Sequence, residues 1–322
     1  MASLSSRQAI GPSFLPRSER GEFDVILLDL DLDPKAAPAD LCAQVAAVCR
    51  DTPIVALAGV DARQRLMQAL AHEAVVSLVP KPGASLPLVA DAAPIPIEGP
   101  DEQWLGLALR RRVEPALQPI GPAPYLLGGT DIEERLIGGS VDKDAALQAL
   151  LADAARFGFS DEKVRRVETA ADELVLNAVY EAPRDDEGQP LHAHADRREL
   201  VVLPAQAQVR LRWGCDGRTF ALSVADRFGA LDRAVVVDHV GKLLDARTQR
   251  VARGHGGPTG QSGQGGSPGS SGLGLALAFG AGNELALHVA SGRFTEATCA
   301  LHIAGSNRVA LARGSALHLY MF

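Results

Sequence analysis

Within DEKVRRVETAADELVLNAVYEA, residues 161–182, a glutamate and an asparagine stand one helical turn apart at Glu173 and Asn177. Both offer hard oxygen ligands at the same end of a short gap, a pairing that can hold a hydrated magnesium ion. At about 100° per residue, Val164, Val167, Ala171, Leu174, Val175 and Ala178 gather on one face of such a helix. Glu173 and Asn177 fall roughly opposite them. An ordinary solvated face would carry the same pattern, so the pair needs context.

The next stretch supplies some. Val209, Leu211 and Trp213 alternate along one strand, Asp216 and Gly217 suit a tight turn, and Phe220, Leu222 and Val224 alternate on the return strand. Asp226 continues the inward-facing set. A carboxylate there must be paired internally, cap a turn or accept from a ligand. Gly229, three residues on, lets the backbone bend beside such a ligand.

Further along, Gly269, Gly272 and Gly274 lead into Leu275, Ala276, Leu277 and Ala278, a helix-forming run. Backbone amides at a glycine-rich helix start favour phosphate oxygens, although glycine before a helix also serves simply as a turn. Thr295, Ala297, Cys299, Leu301 and Ile303 then alternate on a strand, which puts the Thr295 hydroxyl on the inward side, where it needs a partner. His192 and His194 read as exposed loop residues rather than metal ligands, and the cysteines show no zinc spacing.

The elements that must hold these residues fall into two groups. From Phe23 to about Ala90 short apolar runs (VILLDL, PIVALAG, VVSLVPKP) alternate with helical patterns (DLCAQVAAVCR, ARQRLMQALAHE), the order of a parallel sheet with covering helices. Residues 91–127 form a proline-rich linker around one helix-like stretch, DEQWLGLALRRRV. From about 128 to 305 the order is strand, two helices, polar insertion, hairpin, glycine-rich tract, helix and two strands, an α+β sandwich. Residues 252–271 hold eight glycines and read as a loop. Residues 1–22 and 306–322 read as tails, the latter with room for a short strand.

With 322 residues, 47% apolar and 22% charged, the chain can bury two ordinary cores. Its net charge of −7 provides no global basic field for nucleic acid or an anionic membrane. Aromatics at 4% leave too few rings for a stacking platform. No run approaches the roughly 18 apolar residues that span a bilayer, and no signal-peptide core is evident, so a cytoplasmic location is expected.

Taken in order, ELVLNAV, VADRFG, GSSGLGLALAF and RFTEATCAL resemble the N box, G1 box, G2 box and final strand of the histidine-kinase-like (GHKL) ATPase superfamily, closest to the anti-sigma-factor serine kinases. The resemblance covers roughly residues 130–304. It implies ATP and Mg2+ as cofactors, with Glu173 as general base, Asn177 on magnesium, and Asp226 accepting from the adenine amino group. It also implies Gly272 and Gly274 near the phosphates, Thr295 behind the adenine, and the glycine-rich tract as an ATP lid. Three features depart from the family pattern: Phe228 stands where the G1 glycine is usual, Glu181 where a histidine is frequent, and residues 183–199 are inserted.

FDVILLDLDLD, TPIVALAG and VPKP resemble the latter half of a response-regulator receiver domain, with Asp29 in the phosphoacceptor place and Lys81 in that of its partner lysine. Ala58 replaces the usual switch hydroxyl. Too little chain precedes Phe23 for the acidic magnesium pair, so this module is expected to be degenerate.

These readings combine into an expected fold of α/β and α+β type: a truncated doubly wound module over 23–90, then an ATPase-like sandwich over 128–305. The expected function is an ATP-binding signalling regulator that phosphorylates Ser or Thr on a partner of sigma-factor or anti-sigma-antagonist type. A non-catalytic nucleotide-responsive switch is the alternative, and a phospho-signalling module on an ATPase-fold scaffold a further one. A homodimer is compatible with either.

Overall fold

The computed structural model describes residues 23–49, 52–59, 63–81, 106, 118–185, 187–192, 199–241, 274–303 and 315–322. Gly269, Gly272, His194, the 252–271 tract and nearly all of the linker helix lie outside the described residues.

Three parallel strands open the chain: β1 (Ile26–Asp29), β2 (Ile54–Gly59) and β3 (Val75–Lys81). Parallel neighbours need crossovers, supplied by α1 (Pro38–Val48) and α2 (Arg63–Leu70). Pro38 starts α1 in the first turn, where its missing N–H costs nothing. β4 (Glu133–Ile137), α3 (Ser140–Arg156) and α4 (Asp161–Leu176) follow. Ser160 caps α4 by accepting from the Lys163 N–H, and Asp161 and Glu162 sit in its first turn, where the helix dipole favours negative charge.

The hairpin of β5 (Val209–Cys215) and β6 (Thr219–Asp226) turns at Gly217, as its Asp-Gly pair predicts. Asp216 Oδ1 accepts from the N–H groups of Arg218 and Thr219 at 2.8 and 2.7 Å, which fixes that turn. Residues 233–241 form a helix, α5. Then come α6 (Gly274–Ala281), β7 (Glu284–Ala290), β8 (Phe294–His302) and β9 (Ala316–Met321).

Among the described residues all the strands join in one mixed sheet of nine, in the order β1-β2-β3-β9-β7-β8-β6-β5-β4. This corrects the reading of 306–322 as a tail. β9 lies parallel to β7 and antiparallel to β3, so the last strand of the chain bridges the first group of strands to the second. Alternation explains why it can: Leu317 and Leu319 enter the core under the helices, while His318 and Tyr320 are buried on the other face.

Leu211, Trp213, Phe220, Leu222, Leu285 and Leu287 from the sheet pack with Leu150, Val167, Leu174 and Val175 from α3 and α4. Polar bonds pin the helices in place. Trp213 Nε1 donates to Asp153 of α3 at 2.9 Å, and Lys143 of α3 meets Asp172 of α4 at 2.7 Å. On the opposite face the fully buried Glu296 accepts from Arg212 and from the N–H groups of Ile120 and Gly121. Paired in this way a buried carboxylate is tolerable, whereas alone it would not be. No helix among the described residues is long and apolar enough to cross a membrane.

Candidate functional site

The apolar stripe on α4 is broader than its sequence suggests. Ala170, Leu176, Val179 and Tyr180 are buried along with Val167, Ala171, Leu174, Val175 and Ala178, because α4 and the turn that continues it pack against both the sheet and α6. Glu173 and Asn177 therefore do not occupy a free solvated face. They look toward the start of α6. A Cβ placed on Gly274 would stand 2.5 Å from Glu173 Oε2 and 3.2 Å from Asn177 Oδ1. Only glycine lets the two oxygens and the first turn of α6 approach so closely.

At Asn177 the helix widens into one π turn, Asn177–Glu181, closed by the Ala182 N–H donating to Asn177 O at 2.9 Å. Such insertions are frequent at functional sites. Arg184 then donates from one guanidinium nitrogen to the carbonyls of Glu181, Ala182 and Pro183, fastening the end of the helix.

Beside this turn lies a cavity of about 140 Å³. Asn177, Glu181 and Arg184 line one wall; Asp226 and Thr295 stand on the sheet; Asp232 and His239 face them from around α5. The remaining surface is apolar, with Leu174, Val224, Leu231, Leu275, Leu287 and Ala297. An apolar cavity of about 150 Å³ accepts a benzene ring, so this one has room for a planar ring of that size.

Asp226 ends β6 directly opposite Thr295 in the register. Asp226 is 4% exposed and forms no ion pair among the described residues; Oδ1 accepts from the N–H groups of Phe228 and Gly229 at 2.8 and 3.3 Å. Burial pushes its pKa up to about 6 despite those bonds and the nearby N–H and hydroxyl of Thr295. Thr295 Oγ1 is itself buried and makes no well-formed hydrogen bond among the described residues. A carboxyl and a hydroxyl thus share a dry wall, with hydrogen-bonding capacity that the surrounding protein leaves partly unused.

Gly229 plays a different part from the one its spacing suggests. It does not line the cavity. Its φ is 59°, and a Cβ there would lie 2.1 Å from Ala290 O, so glycine is required because the β7–β8 turn packs on it.

Asp29 belongs to a separate cluster. Lys81 Nζ lies 2.6 Å from both Asp29 Oδ1 and Asp31 Oδ2, and Asp31 Oδ2 also accepts from the Gly59 N–H at 2.8 Å. Partial burial works against the charge on Asp31, but Lys81, the Gly59 amide and the Arg65 charge outweigh it and hold its pKa below the ordinary value. No group of three or more metal-ligating side chains is assembled among the described residues.

The structure therefore gathers Asn177, Asp226 and Thr295 around one cavity, puts Glu173 and Gly274 together next to Asn177, and leaves Gly229 and Asp29 outside the lining. Sequence reasoning missed Arg184, Asp232 and His239. Arg184 lies in the unassigned insertion, and the α5 segment carries no recognisable spacing. No protein-family model matches the chain, and no curated protein matches it.

Proposed function

We propose that the chain is a Mg-ATP-binding signalling regulator with a histidine-kinase-like ATPase unit behind a receiver-like one. In this reading it transfers the terminal phosphoryl group to a Ser or Thr of a partner protein, of the sigma-factor or anti-sigma-antagonist type. The observation that carries the reading is the convergence of Asn177, Asp226 and Thr295 on one cavity, with Glu173 next to Asn177 against the glycine that opens α6.

The residues present fit the cofactors. Adenine offers a flat ring for the apolar walls and an amino donor for the ionised Asp226, with Thr295 beside it. Asn177 Oδ1 and Glu173 Oε2, which flank the same spot at Gly274, are hard oxygens suited to magnesium and its water shell. Charge points the same way. Glu181, Asp226 and Asp232 outnumber Arg184 in the lining, so a bare polyphosphate would be repelled unless a divalent cation came with it. When bound, the metal neutralises phosphate charge. In this reading Glu173 takes the proton of the attacking hydroxyl.

Glu181 favours a second reading. Its place in the lining adds negative charge where phosphates would leave the cavity, which suits a switch that binds nucleotide without turnover. Incubation with terminally labelled ATP and a co-purified partner separates the two. Label on the partner, lost in Glu173→Ala, is expected of the kinase; nucleotide binding without transfer supports the switch, and no nucleotide binding at all overturns both.

A further inference from the structure

Helix α2 is gripped by an arginine at each end. Near its start Arg65 donates to three carbonyls of the loop that follows β1: Leu30 at 2.6 Å, Asp33 at 3.0 Å and Pro34 at 3.1 Å. That loop carries Asp31, whose N–H bonds Asp29 Oδ1 at 3.0 Å and whose carboxylate meets Lys81. Past the other end of α2, Arg233 donates to the carbonyls of Leu70, His72 and Val75 at 2.8, 2.9 and 2.7 Å.

Arg233 is the first residue of α5, and α5 has two occupied faces. Val236 and Val240 are fully buried in the same core as Leu66, Ala69 and Leu70 of α2. Val235 and His239, with Asp232 just ahead of them, line the cavity. Asp232 Oδ1 accepts from the Ala234 N–H at 2.6 Å, so the cavity wall is tied to the start of α5. A rod of eight residues, about 12 Å long, thus runs from the loop that carries Asp31 to Arg233, the neighbour of the cavity residue Asp232, with charge-assisted bonds near both ends.

We propose that α2 and α5 couple the Asp29–Asp31–Lys81 cluster to the cavity, with Arg233 as the positioning residue that makes the cavity wall follow α2. A change of charge at the cluster loosens the β1–α1 loop, Arg65 carries the change to α2, and Arg233 passes it to Asp232 and His239. Contiguous hydrogen-bonded and packed elements of this kind are the physical means by which separated sites influence one another. The coupling is reciprocal, so filling the cavity also shifts the cluster. The link itself stands on the hydrogen bonds alone; only its nucleotide readout rests on the function proposed above.

The test compares Asp29→Asn with wild type, each with and without Arg233→Lys, in the full chain. The lysine keeps the charge, but its ammonium ends one bond short of the guanidinium nitrogen that meets all three carbonyls. Without nucleotide, amide hydrogen exchange over 233–241 is expected to quicken in Asp29→Asn and to respond little to it when residue 233 is lysine. Unchanged exchange in Asp29→Asn, or the same response in both backgrounds, overturns the proposal. With Mg-ATP, Asp29→Asn is expected to shift the dissociation constant about fivefold or more with Arg233 in place and less than about twofold without it. Should exchange respond as expected while Mg-ATP fails to bind, the nucleotide reading falls and the coupling stands.

Discussion

The cavity and the Asp29 cluster hold the same kind of group in opposite circumstances. Asp226 is buried with two backbone amides on Oδ1, and its pKa rises to about 6. Asp31 lies in a partly open site against a lysine, and its pKa falls. Lys81, raised by the same two carboxylates against partial desolvation, completes that cluster. A site whose charges already satisfy one another has little to offer an incoming ligand. One that keeps a carboxyl and a hydroxyl dry and only partly bonded is stabilised when a donor arrives.

The largest effect is expected just outside the cavity, where the β7–β8 turn packs on the backbone that follows Asp226. Gly229→Ala is expected to cost at least about 3 kcal/mol in urea unfolding, since a Cβ would meet Ala290 O at 2.1 Å in a left-handed conformation. A loss under 1 kcal/mol, on the scale of about 0.5 kcal/mol for surface changes, would mean the turn does not pack on Gly229.

Asp226→Asn sharpens the comparison through pH. The folded state raises this pKa from 3.8 to about 6, so it binds more protons than the unfolded state between those values, and stability falls as pH rises through that window. The rise corresponds to roughly 3 kcal/mol as an upper bound. Unfolding measured from pH 4 to pH 8 is expected to show the variant gaining on wild type as pH increases, with the gap closed at the acid end. A gap that stays constant with pH contradicts the burial of an ionisable group here.

Asp31→Asn has the opposite sign and a smaller size. Its lowered pKa contributes stability above about pH 4 that is lost as pH falls below it. Because the carboxylate is 37% exposed, solvent screening limits the effect to under about 1 kcal/mol, and added salt should shrink it further. Gly274→Ala should disturb stability least, by a few tenths of a kcal/mol, as the crowded atom is the end of the flexible Glu173 side chain. Its effect belongs to ligand affinity, read by titration.

Much of this arrangement was legible because strands alternate. The inward set Phe220, Leu222, Val224, Asp226 and its counterpart through Thr295 follow from period two alone, and Asp226 pairs with Thr295 in the sheet. The parallel order of β1 to β3 with helical crossovers was equally readable. What escaped has physical reasons. β9 is six residues long, too short for its alternation to announce that it joins two groups of strands. The π turn at Asn177 leaves no trace in a 3.6-residue pattern, yet it sets which side chains reach the cavity. The sequence shows Gly229 only as freedom to bend beside Asp226, and the neighbour that demands glycine there is 61 residues away at Ala290. The faces of α5 depend on packing against α2, a contact no local pattern encodes.

Calorimetric titration with Mg-ATP of wild type, Asn177→Ala and Asp226→Asn bears most directly on the cavity. Binding by wild type is expected to be saturable, magnesium-dependent and weaker below about pH 6, where Asp226 takes up a proton. Each substitution should lower affinity by tenfold or more, about 1.4 kcal/mol. Equal heats from all three proteins would contradict the account.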